Sequence, residues 1–259
     1  EKKLLQPRYD LPANFIACLA CLEKLQAEHD GVAARFQGAA GLGVGEYAAL
    51  CVAGVITFED GLRLAQVLGE AMQAESAVRK LSSIYVDGLD CKVLEELCEA
   101  AAQEEGGADA GVSVSAQLCP QGMLCAGTDS AVLTVQRLAT QKGARVYMPW
   151  PVAFYSPFRQ EVQERLNTHL AALEPKMSRP RLTVYMNAGG QPMTPDTPVK
   201  DILEALRNHL TTRVLWQATL KGMIRDGMSE FYELGPGDLK SNMAEVDKLA
   251  GHNTTAVWL

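Results

Sequence analysis

Three glycines alternate with two apolar residues in the segment Gly41 to Gly45, which reads Gly-Leu-Gly-Val-Gly. The segment follows a short apolar run, Val32 to Ala40, that we expect to be a buried strand, and it precedes a predicted helix over 46–50. Glycine tolerates the left-handed backbone that tight turns need. Because a strand that ends in such a turn and leads directly into a helix is typical of α/β proteins, this segment predicts an α/β fold.

The same turn has the frame of a nucleophile elbow but lacks the nucleophile. In the elbow pattern G-x-S-x-G, the turn raises a Ser hydroxyl above the sheet, and the next helix N-terminus faces the developing oxyanion. Here the middle position is Gly43, which has no side chain. A dinucleotide-binding turn, G-x-G-x-x-G, would need Gly or Ala at position 46, where Glu46 would repel a pyrophosphate. The elbow is therefore the favoured interpretation.

Composition is that of an ordinary globular protein. The chain has 259 residues, 47% of them hydrophobic, which is enough to bury a full core in one large or two smaller domains. Its 24 basic and 31 acidic residues give a formal net charge of −7, which does not indicate contact with nucleic acid. No apolar run approaches the roughly 20 residues that cross a bilayer, so we expect no membrane span.

Seven cysteines are scattered through apolar surroundings, an odd number that favours reduced thiols over a disulfide framework. Cys18 and Cys21 form a C-x-x-C pair, which suggests a metal or redox site. No second C-x-x-C and no His at ligand spacing accompanies them, so we favour core packing and predict no metal and no cofactor. Reduced cysteines are typical of an intracellular or organelle-matrix protein.

Residues 81–149 have their own order of elements. We predict strands and helices in the order β-α-β-β-α-β, at 82–86, 93–102, 112–118, 123–126, 131–142 and 145–148. That order predicts a ferredoxin-like subdomain over 81–149. The flanking segments, 1–80 and 150–259, would form a larger hydrolase-like α/β domain with a parallel sheet flanked by helices. Its predicted helices lie at 12–25, 58–72, 157–173, 199–210 and 216–226, and its later strands at 182–186 and 230–234.

The turn and the residues after it resemble a known family. Positions 41–50 read G-L-G-V-G-E-Y-A-A-L and positions 53–56 read A-G-V-I. This is similar to the malonyl-CoA:acyl carrier protein transacylases and the related acyltransferase domains of polyketide synthases, whose pattern is G-H-S-x-G-E-Y-x-A-L followed by A-G-V. Further agreement lies at Arg63-Leu64, Gly69, Met72-Gln73, Pro151-Val152, Val214-Leu215-Trp216 and Tyr232 to Gly237, and the likeness extends from about Leu11 to Leu249.

The resemblance implies four catalytic groups: an elbow Ser that attacks the malonyl thioester, a His base, an Arg for the malonyl carboxylate and a Gln in an N-terminal G-Q-G-S-Q loop. Gly43 stands at the Ser position, Leu42 at the elbow His, Leu68 at the Arg and Pro157 at the His base, and the given chain begins after the Gln loop. Loss of nucleophile or base lowers kcat by about 10⁶ in triad enzymes. We therefore predict no catalytic residue, and a pseudoenzyme.

A relocated nucleophile is the alternative. Tyr155 and Ser156 adjoin the lost base position, and Cys51 lies in the helix after the turn. The four histidines, at positions 29, 169, 209 and 252, match no motif position. For all of these side chains we favour a surface or packing role over catalysis.

The predicted function is a structural or binding subunit of a larger assembly, such as a mitochondrial ribosomal, respiratory or plastid complex. Its partners would be other protein subunits and, as the family's natural ligand, an acyl carrier protein. Two alternatives are a module that binds acyl carrier protein or acyl-CoA, and an active acyltransferase of fatty acid biosynthesis with an unrecognised nucleophile. We expect the mitochondrial matrix, with the plastid as alternative. Because the given sequence lacks the family's N-terminal strand, the large sheet should lack one strand unless that sequence is incomplete.

Overall fold

A computed structural model describes residues 2–106, 111–147 and 150–259. The α-helices of these residues are α1 (Pro7–Glu28), α2 (Gly45–Val52), α3 (Phe58–Ser76), α4 (Cys91–Glu105), α5 (Asp129–Gln141), α6 (Gln160–Leu173), α7 (Val199–Asn208), α8 (Trp216–Arg225), α9 (Leu239–Val246) and α10 (Lys248–His252). The strands are β1 (Gly38–Ala40), β2 (Leu81–Asp87), β3 (Val112–Gln117), β4 (Gly122–Thr128), β5 (Arg145–Val146), β6 (Thr183–Tyr185), β7 (Pro192–Met193), β8 (Phe231–Leu234) and β9 (Thr254–Val257). The sheets are flanked by helices, which confirms the predicted α/β class.

The strands of the flanking segments form two short sheets. β1 pairs in parallel with β6, and β7 adds an antiparallel strand to β6. β8 and β9 form a separate parallel pair. The first sheet is therefore mixed, with one parallel and one antiparallel pair. β7 was not predicted, because it lies in a Pro- and Gly-rich loop whose composition gives no strand signal.

A four-stranded antiparallel sheet lies between these segments, with the order β3-β4-β2-β5. With α4 and α5 the order along the chain is β-α-β-β-α-β, and both helices pack on the sheet around Ile84, Leu94 and Val132. The last predicted strand covers only Arg145–Val146, and Met148 lies outside the described residues. The division into two domains at 81 and 149 stays a prediction.

One segment that was predicted to be a strand is in part a 3-10 turn. The run from Val32 to Ala40 was expected to be a strand throughout, but Val32–Arg35 forms a 3-10 turn and only Gly38–Ala40 is extended. Gly31, with φ of 71°, reverses the chain after α1. Val32 then packs back against Cys21 and Leu25 of that helix, so its apolar character reflects burial under α1 rather than sheet pairing.

The largest core lies between helices α1, α2, α3 and α6 and the first sheet. Its fully buried members include Phe15, Tyr47, Leu50, Leu64 and Leu166. The seven cysteines are free thiols, and four of them are fully buried. Within the described ranges, no helix is both long and apolar enough to cross a membrane.

Candidate functional site

The glycine turn between β1 and α2 needs its glycines for two different reasons. Gly43 has a φ of 61°, in the left-handed region that side chains disfavour. A Cβ on Gly41 would lie 2.0 Å from both the carbonyl carbon and oxygen of Gly45, so the backbone passes itself too closely there for any other residue. Gly45 has open space around its Cα and begins α2. The turn therefore has the tight strand-to-helix geometry that the sequence predicted.

Tyr155 fills the place where a side chain of residue 43 would project. A Cβ on Gly43 would lie 2.8 Å from the Tyr155 hydroxyl oxygen. Among the residues that the structure describes, Tyr155 is the one non-glycine residue with a positive φ, at 50°. A bulky residue in this region is strained by about 1–3 kcal/mol, and such strain concentrates at functional sites. Tyr155 was predicted to pack or to lie on the surface, and its contact with the turn was missed.

Three buried side chains form a hydrogen-bonded chain behind the turn. The Glu46 carboxylate is fully buried, and its Oε2 lies 2.8 Å from Nδ1 of His209. A donating Nδ1–H leaves Nε2 of His209 as the acceptor for the Tyr47 hydroxyl, 3.2 Å away. Burial, followed by the charge of Glu46, raises the pKa of Tyr47 well above its usual range and keeps this hydroxyl protonated. No local pattern indicates this network, because Glu46 and His209 are 163 positions apart in the sequence.

Asn187 ties the same carboxylate to the turn. Its backbone N–H donates to Glu46 Oε1 at 2.6 Å, and its side-chain amide donates to the Gly41 carbonyl at 2.9 Å. Asn187 lies two residues after the end of β6, so the network connects the turn to the segment that follows the neighbouring strand. The turn is therefore held by side chains as well as by its own backbone.

The other predicted site positions are apolar or remote from polar partners. Leu68 is buried in the same apolar cluster as Val44 and Tyr47. Leu42 packs against the cluster that contains Tyr155. Pro157 is exposed and begins a 3-10 turn at Pro157–Arg159. The structure thus brings Gly43, Leu42 and Tyr155 together and places Leu68 under the turn in the core.

The relocated-nucleophile candidates differ in their surroundings. Burial, with smaller contributions from Asp60 and Glu59, raises the pKa of the Cys51 thiol to about 12, so little thiolate forms near neutral pH. Ser156 is fully buried, and its hydroxyl oxygen accepts the N–H of Phe158 at 3.4 Å. The surroundings of Cys51 and Ser156 therefore fit a packing role.

A buried ion pair anchors the segment that carries Tyr155. The Arg159 guanidinium contacts the Glu75 carboxylate, and its Nε donates to the Ala153 carbonyl at 2.5 Å. Burial lowers the pKa of Arg159 to about 10, so the guanidinium remains charged at neutral pH. The pair links α3 to the residues on both sides of Tyr155 and so fixes the strained backbone next to the turn.

No family model matches the chain. Among curated proteins, it is 28% identical over 236 residues to the malonyl CoA-acyl carrier protein transacylase of Bacillus subtilis, covering 90% of the chain and 70% of the relative. It is also 28% identical to the human mitochondrial malonyl-CoA-acyl carrier protein transacylase, covering 87% of the chain and 59% of the relative. The polyketide biosynthesis protein ThaF of Burkholderia thailandensis matches 94% of the chain at 28% identity, and the chain spans 20% of its length.

Solved structures match the whole fold. The acyl-carrier-protein S-malonyltransferase of Bartonella henselae superposes with a TM-score of 0.88 at 26% identity, over 100% of this chain and 79% of that one. The acyl carrier protein S-malonyltransferase of Vibrio cholerae superposes with a TM-score of 0.86 at 26% identity, over 99% of this chain and 80% of that one. The chain is therefore similar in sequence and in fold to the malonyl-CoA:acyl carrier protein transacylases. The predicted resemblance to this family is thereby confirmed.

The prediction of a pseudoenzyme is wrong. The relatives and solved structures are named as transacylases and S-malonyltransferases, which points to an enzyme. The prediction was drawn from Gly43, Leu42, Leu68 and Pro157 and from the absence of the Gln loop from the given sequence. Those positions lack the family's side chains, but the strand-to-helix turn itself is retained.

The contact between Tyr155 and position 43 can be measured by substitution. Gly43→Ala should lower the free energy of unfolding by about 1–3 kcal/mol, because alanine is strained at this φ and its Cβ meets the Tyr155 hydroxyl. Gly31→Ala is the matched control: its φ is 71°, and its Cβ would meet no atom within 4 Å. Urea unfolding of both variants measures how much free energy of unfolding each one loses. Equal losses would show that Tyr155 does not crowd the turn, whereas recovery in Gly43→Ala/Tyr155→Phe would locate the contact.

Proposed function

We propose that the protein transfers acyl groups between coenzyme A and an acyl carrier protein. The turn between β1 and α2 carries the proposal, since it keeps the geometry of an acyltransferase elbow, with Gly43 left-handed and α2 starting at Gly45. The names of the relatives supply the substrates. One similar solved structure is a type II polyketide synthase acyl-carrier protein in complex with its malonyl-transacylase, at a TM-score of 0.84 and 25% identity. This favours a carrier protein as partner and supports a role in fatty acid biosynthesis.

The transfer that we propose is direct. Gly43 has no side chain that could carry an acyl group, so the carrier thiolate attacks the carbonyl carbon of acyl-CoA itself. A new carbon–sulfur bond forms to the carrier, the bond to the CoA sulfur breaks, and the CoA thiolate leaves with the electron pair. The carrier thiol releases its proton to solvent, and the CoA thiolate takes one up. The reaction needs no oxidant, reductant or further reactant.

The turn would stabilise the negative oxygen that forms during this attack. In an elbow, the N–H of the residue after the nucleophile position helps to form the oxyanion site, which here is the N–H of Val44. The neighbouring N–H groups are used within the turn, since Gly45 donates to the Leu42 carbonyl at 3.1 Å and Glu46 to the Gly43 carbonyl at 3.0 Å. One such donor contributes about 10²–10³ in kcat. The proposed enzyme is therefore slow compared with one that forms an acyl-enzyme.

The apolar side chains around the turn favour uncharged acyl groups. Leu68 is buried with Val44 and Tyr47, and Leu42 is packed against a second apolar cluster. A malonyl carboxylate placed beside these side chains would lose its hydration without gaining a cationic partner. We therefore propose that acetyl-CoA is a better donor than malonyl-CoA.

The test combines transfer with intact mass. The chain is incubated with acetyl-CoA or malonyl-CoA and a holo acyl carrier protein, and acyl carrier formation is followed over both substrate concentrations. We expect intersecting initial-velocity lines, no acyl adduct on the chain, and a rate about 10²–10³-fold above that of heat-denatured protein. Parallel lines with a stable adduct would show a covalent intermediate and contradict direct transfer. A rate equal to that of the denatured control would contradict the transfer function.

A pair of variants at Val44 isolates the oxyanion donor. Val44→Pro removes the N–H, and the φ of −64° at this residue already suits proline. Val44→Ala keeps the N–H and removes two methyl groups. Transfer by the proline variant should fall by about 10²-fold, while the alanine variant keeps most of its activity. Equal rates for the two variants would show that another group stabilises the oxyanion.

Membership of a larger assembly and a mitochondrial location stay predictions. One relative is the human mitochondrial transacylase and others are bacterial, so the likeness is compatible with either setting. We propose the mitochondrial matrix on the human relative alone. Fractionation of cells that express the full-length protein would test it, and recovery from another compartment would contradict it.

A further inference from the structure

The Tyr155 hydroxyl lies directly beside the empty position of the glycine turn. Its oxygen is 2.8 Å from the point where a Cβ of residue 43 would stand. In an elbow, the side chain at that position carries the reacting group, so this point borders the space that the acyl carbonyl enters during transfer. Tyr155 therefore places a polar group beside the reacting atoms, although Gly43 itself contributes none.

Tyr155 keeps this place in spite of its backbone conformation. Its φ of 50° lies in the region that large side chains avoid. The side chain is 8% exposed and packs in an apolar cluster with Trp216, and the Phe154 ring centroid lies 6.2 Å from its own. Because such a conformation persists only where the surrounding structure enforces it, the hydroxyl is a fixed neighbour of the turn.

The Tyr155 hydroxyl and the Val44 N–H border the same small space. A Cβ lies about 3–4 Å from the backbone nitrogen of the next residue, so the Tyr155 oxygen is within about 7 Å of the Val44 nitrogen. Two donors that share one acceptor oxygen at ordinary hydrogen-bond length are about 4–5.5 Å apart. This upper limit therefore leaves room for one carbonyl oxygen between the two donors.

The protonation state of Tyr155 decides which role its hydroxyl can take. Burial, followed by the negative charge of Glu46, raises the pKa of Tyr155 and keeps the hydroxyl protonated at neutral pH. A protonated phenol is a poor nucleophile and a poor base. It is a good hydrogen-bond donor to an oxygen that gains negative charge, because the low local dielectric strengthens such a bond.

We propose that the Tyr155 hydroxyl donates a hydrogen bond to the carbonyl oxygen of the acyl group and is, with the Val44 N–H, the second donor of the oxyanion site. This inference rests on the proposed acyl transfer and adds a catalytic residue to it. As the carrier sulfur attacks, the electron pair of the carbonyl double bond moves onto this oxygen. When the CoA sulfur leaves, that pair re-forms the double bond, and Tyr155 keeps its proton throughout.

Tyr155→Phe removes the hydroxyl and keeps the ring beside Gly43. The kcat for acetyl transfer to a holo acyl carrier protein should fall by about tenfold or more, and the KM for acetyl-CoA should change less than about twofold, because the bond strengthens only as the oxyanion forms. Tyr85→Phe is the matched control, since Tyr85 packs against the same apolar cluster but its hydroxyl contacts the Cys119 sulfur at 3.8 Å. Its kcat should stay within about twofold.

Infrared spectroscopy of bound acetyl-CoA tests the contact without turnover. Acetyl-CoA with a ¹³C label at the carbonyl is added to the chain without carrier protein, and a hydrogen bond to the carbonyl lowers its stretching frequency. We expect a shift with the wild-type chain and a smaller one with Tyr155→Phe. A chain with 3,5-difluorotyrosine at position 155 should give a larger shift, because its hydroxyl is more acidic and donates more strongly. A ring that only fills space would not produce this order.

The two measurements separate this inference from the proposed function. A carbonyl shift that depends on Tyr155, without any transfer to the carrier, would contradict acyl transfer and support the contact. Transfer with equal kcat for the wild type and Tyr155→Phe would overturn the contact and leave the transfer standing. A wild-type band that does not move at saturating acetyl-CoA, or that does not respond to difluorotyrosine, would overturn it as well, even if Tyr155→Phe failed to fold.

Discussion

Glu75→Gln should lower the free energy of unfolding by about 3–5 kcal/mol, because it leaves the Arg159 guanidinium buried without its counter-charge. Both side chains of this pair are nearly inaccessible, with 3% of Arg159 and 6% of Glu75 exposed. The guanidinium keeps its charge at neutral pH even though burial lowers its pKa to about 10. Urea unfolding followed by circular dichroism measures the loss.

An exposed ion pair close in sequence to the buried one provides the control for Glu75→Gln. Arg79 and Glu161 lie 3.7 Å apart with about half or more of each side chain exposed. Glu161→Gln should change stability by less than about 1 kcal/mol, as is usual for surface pairs. A similar small loss for Glu75→Gln would show that water reaches the buried pair. Glu75→Leu/Arg159→Met, which removes both charges, should recover much of the loss.

Gly41→Ala should destabilise the protein by more than about 3 kcal/mol, since its Cβ would lie 2.0 Å from backbone atoms of Gly45 and 2.6 Å from the Glu46 nitrogen. Those atoms begin α2 and cannot move without opening the turn. Asn187 would lose its acceptor as well, because its amide donates to the Gly41 carbonyl. The loss is measured by urea unfolding, and near-UV circular dichroism reports on Tyr47 and Tyr155 beside the turn.

Gly45→Ala is the matched control for Gly41→Ala. It lies in the same turn, its Cβ would meet no atom within 4 Å, and it begins a helix. Alanine there should be neutral or stabilising by up to about 1 kcal/mol. Equal effects of the two substitutions would show that the turn is loose and that its close backbone approach does not hold in solution.

Much of the fold was accessible from the sequence because long periodic segments determine their own structure. The helix predicted from Phe58 begins there and ends four residues later than expected, and the strand at 82–86 grows by one residue at each end. The strand predicted from Val32 to Ala40 was wrong for Val32–Arg35, because burial under a helix and burial in a sheet produce the same apolar composition. β7 was not predicted, because two paired residues in a loop leave no periodic signal in the sequence.

The site was accessible only where its residues are close in sequence. Gly41 to Gly45 could be predicted as a tight turn from five consecutive residues. Tyr155 stands beside the motif position of Pro157, and a search for side chains that could fill an empty elbow would have selected it. His209 and Asn187 gave no signal, because nothing local distinguishes a histidine that meets a carboxylate 163 residues away from one on the surface.

The Glu46 network also determines when the turn can be completed during folding. Gly41 to Gly45 leave the ribosome well before Asn187 and His209, which satisfy the buried carboxylate and are made more than 140 residues later. Until those partners arrive, Glu46 can remain in water only by keeping the start of α2 away from the core. A motif that is local in sequence is therefore finished only after the chain has emerged as far as His209.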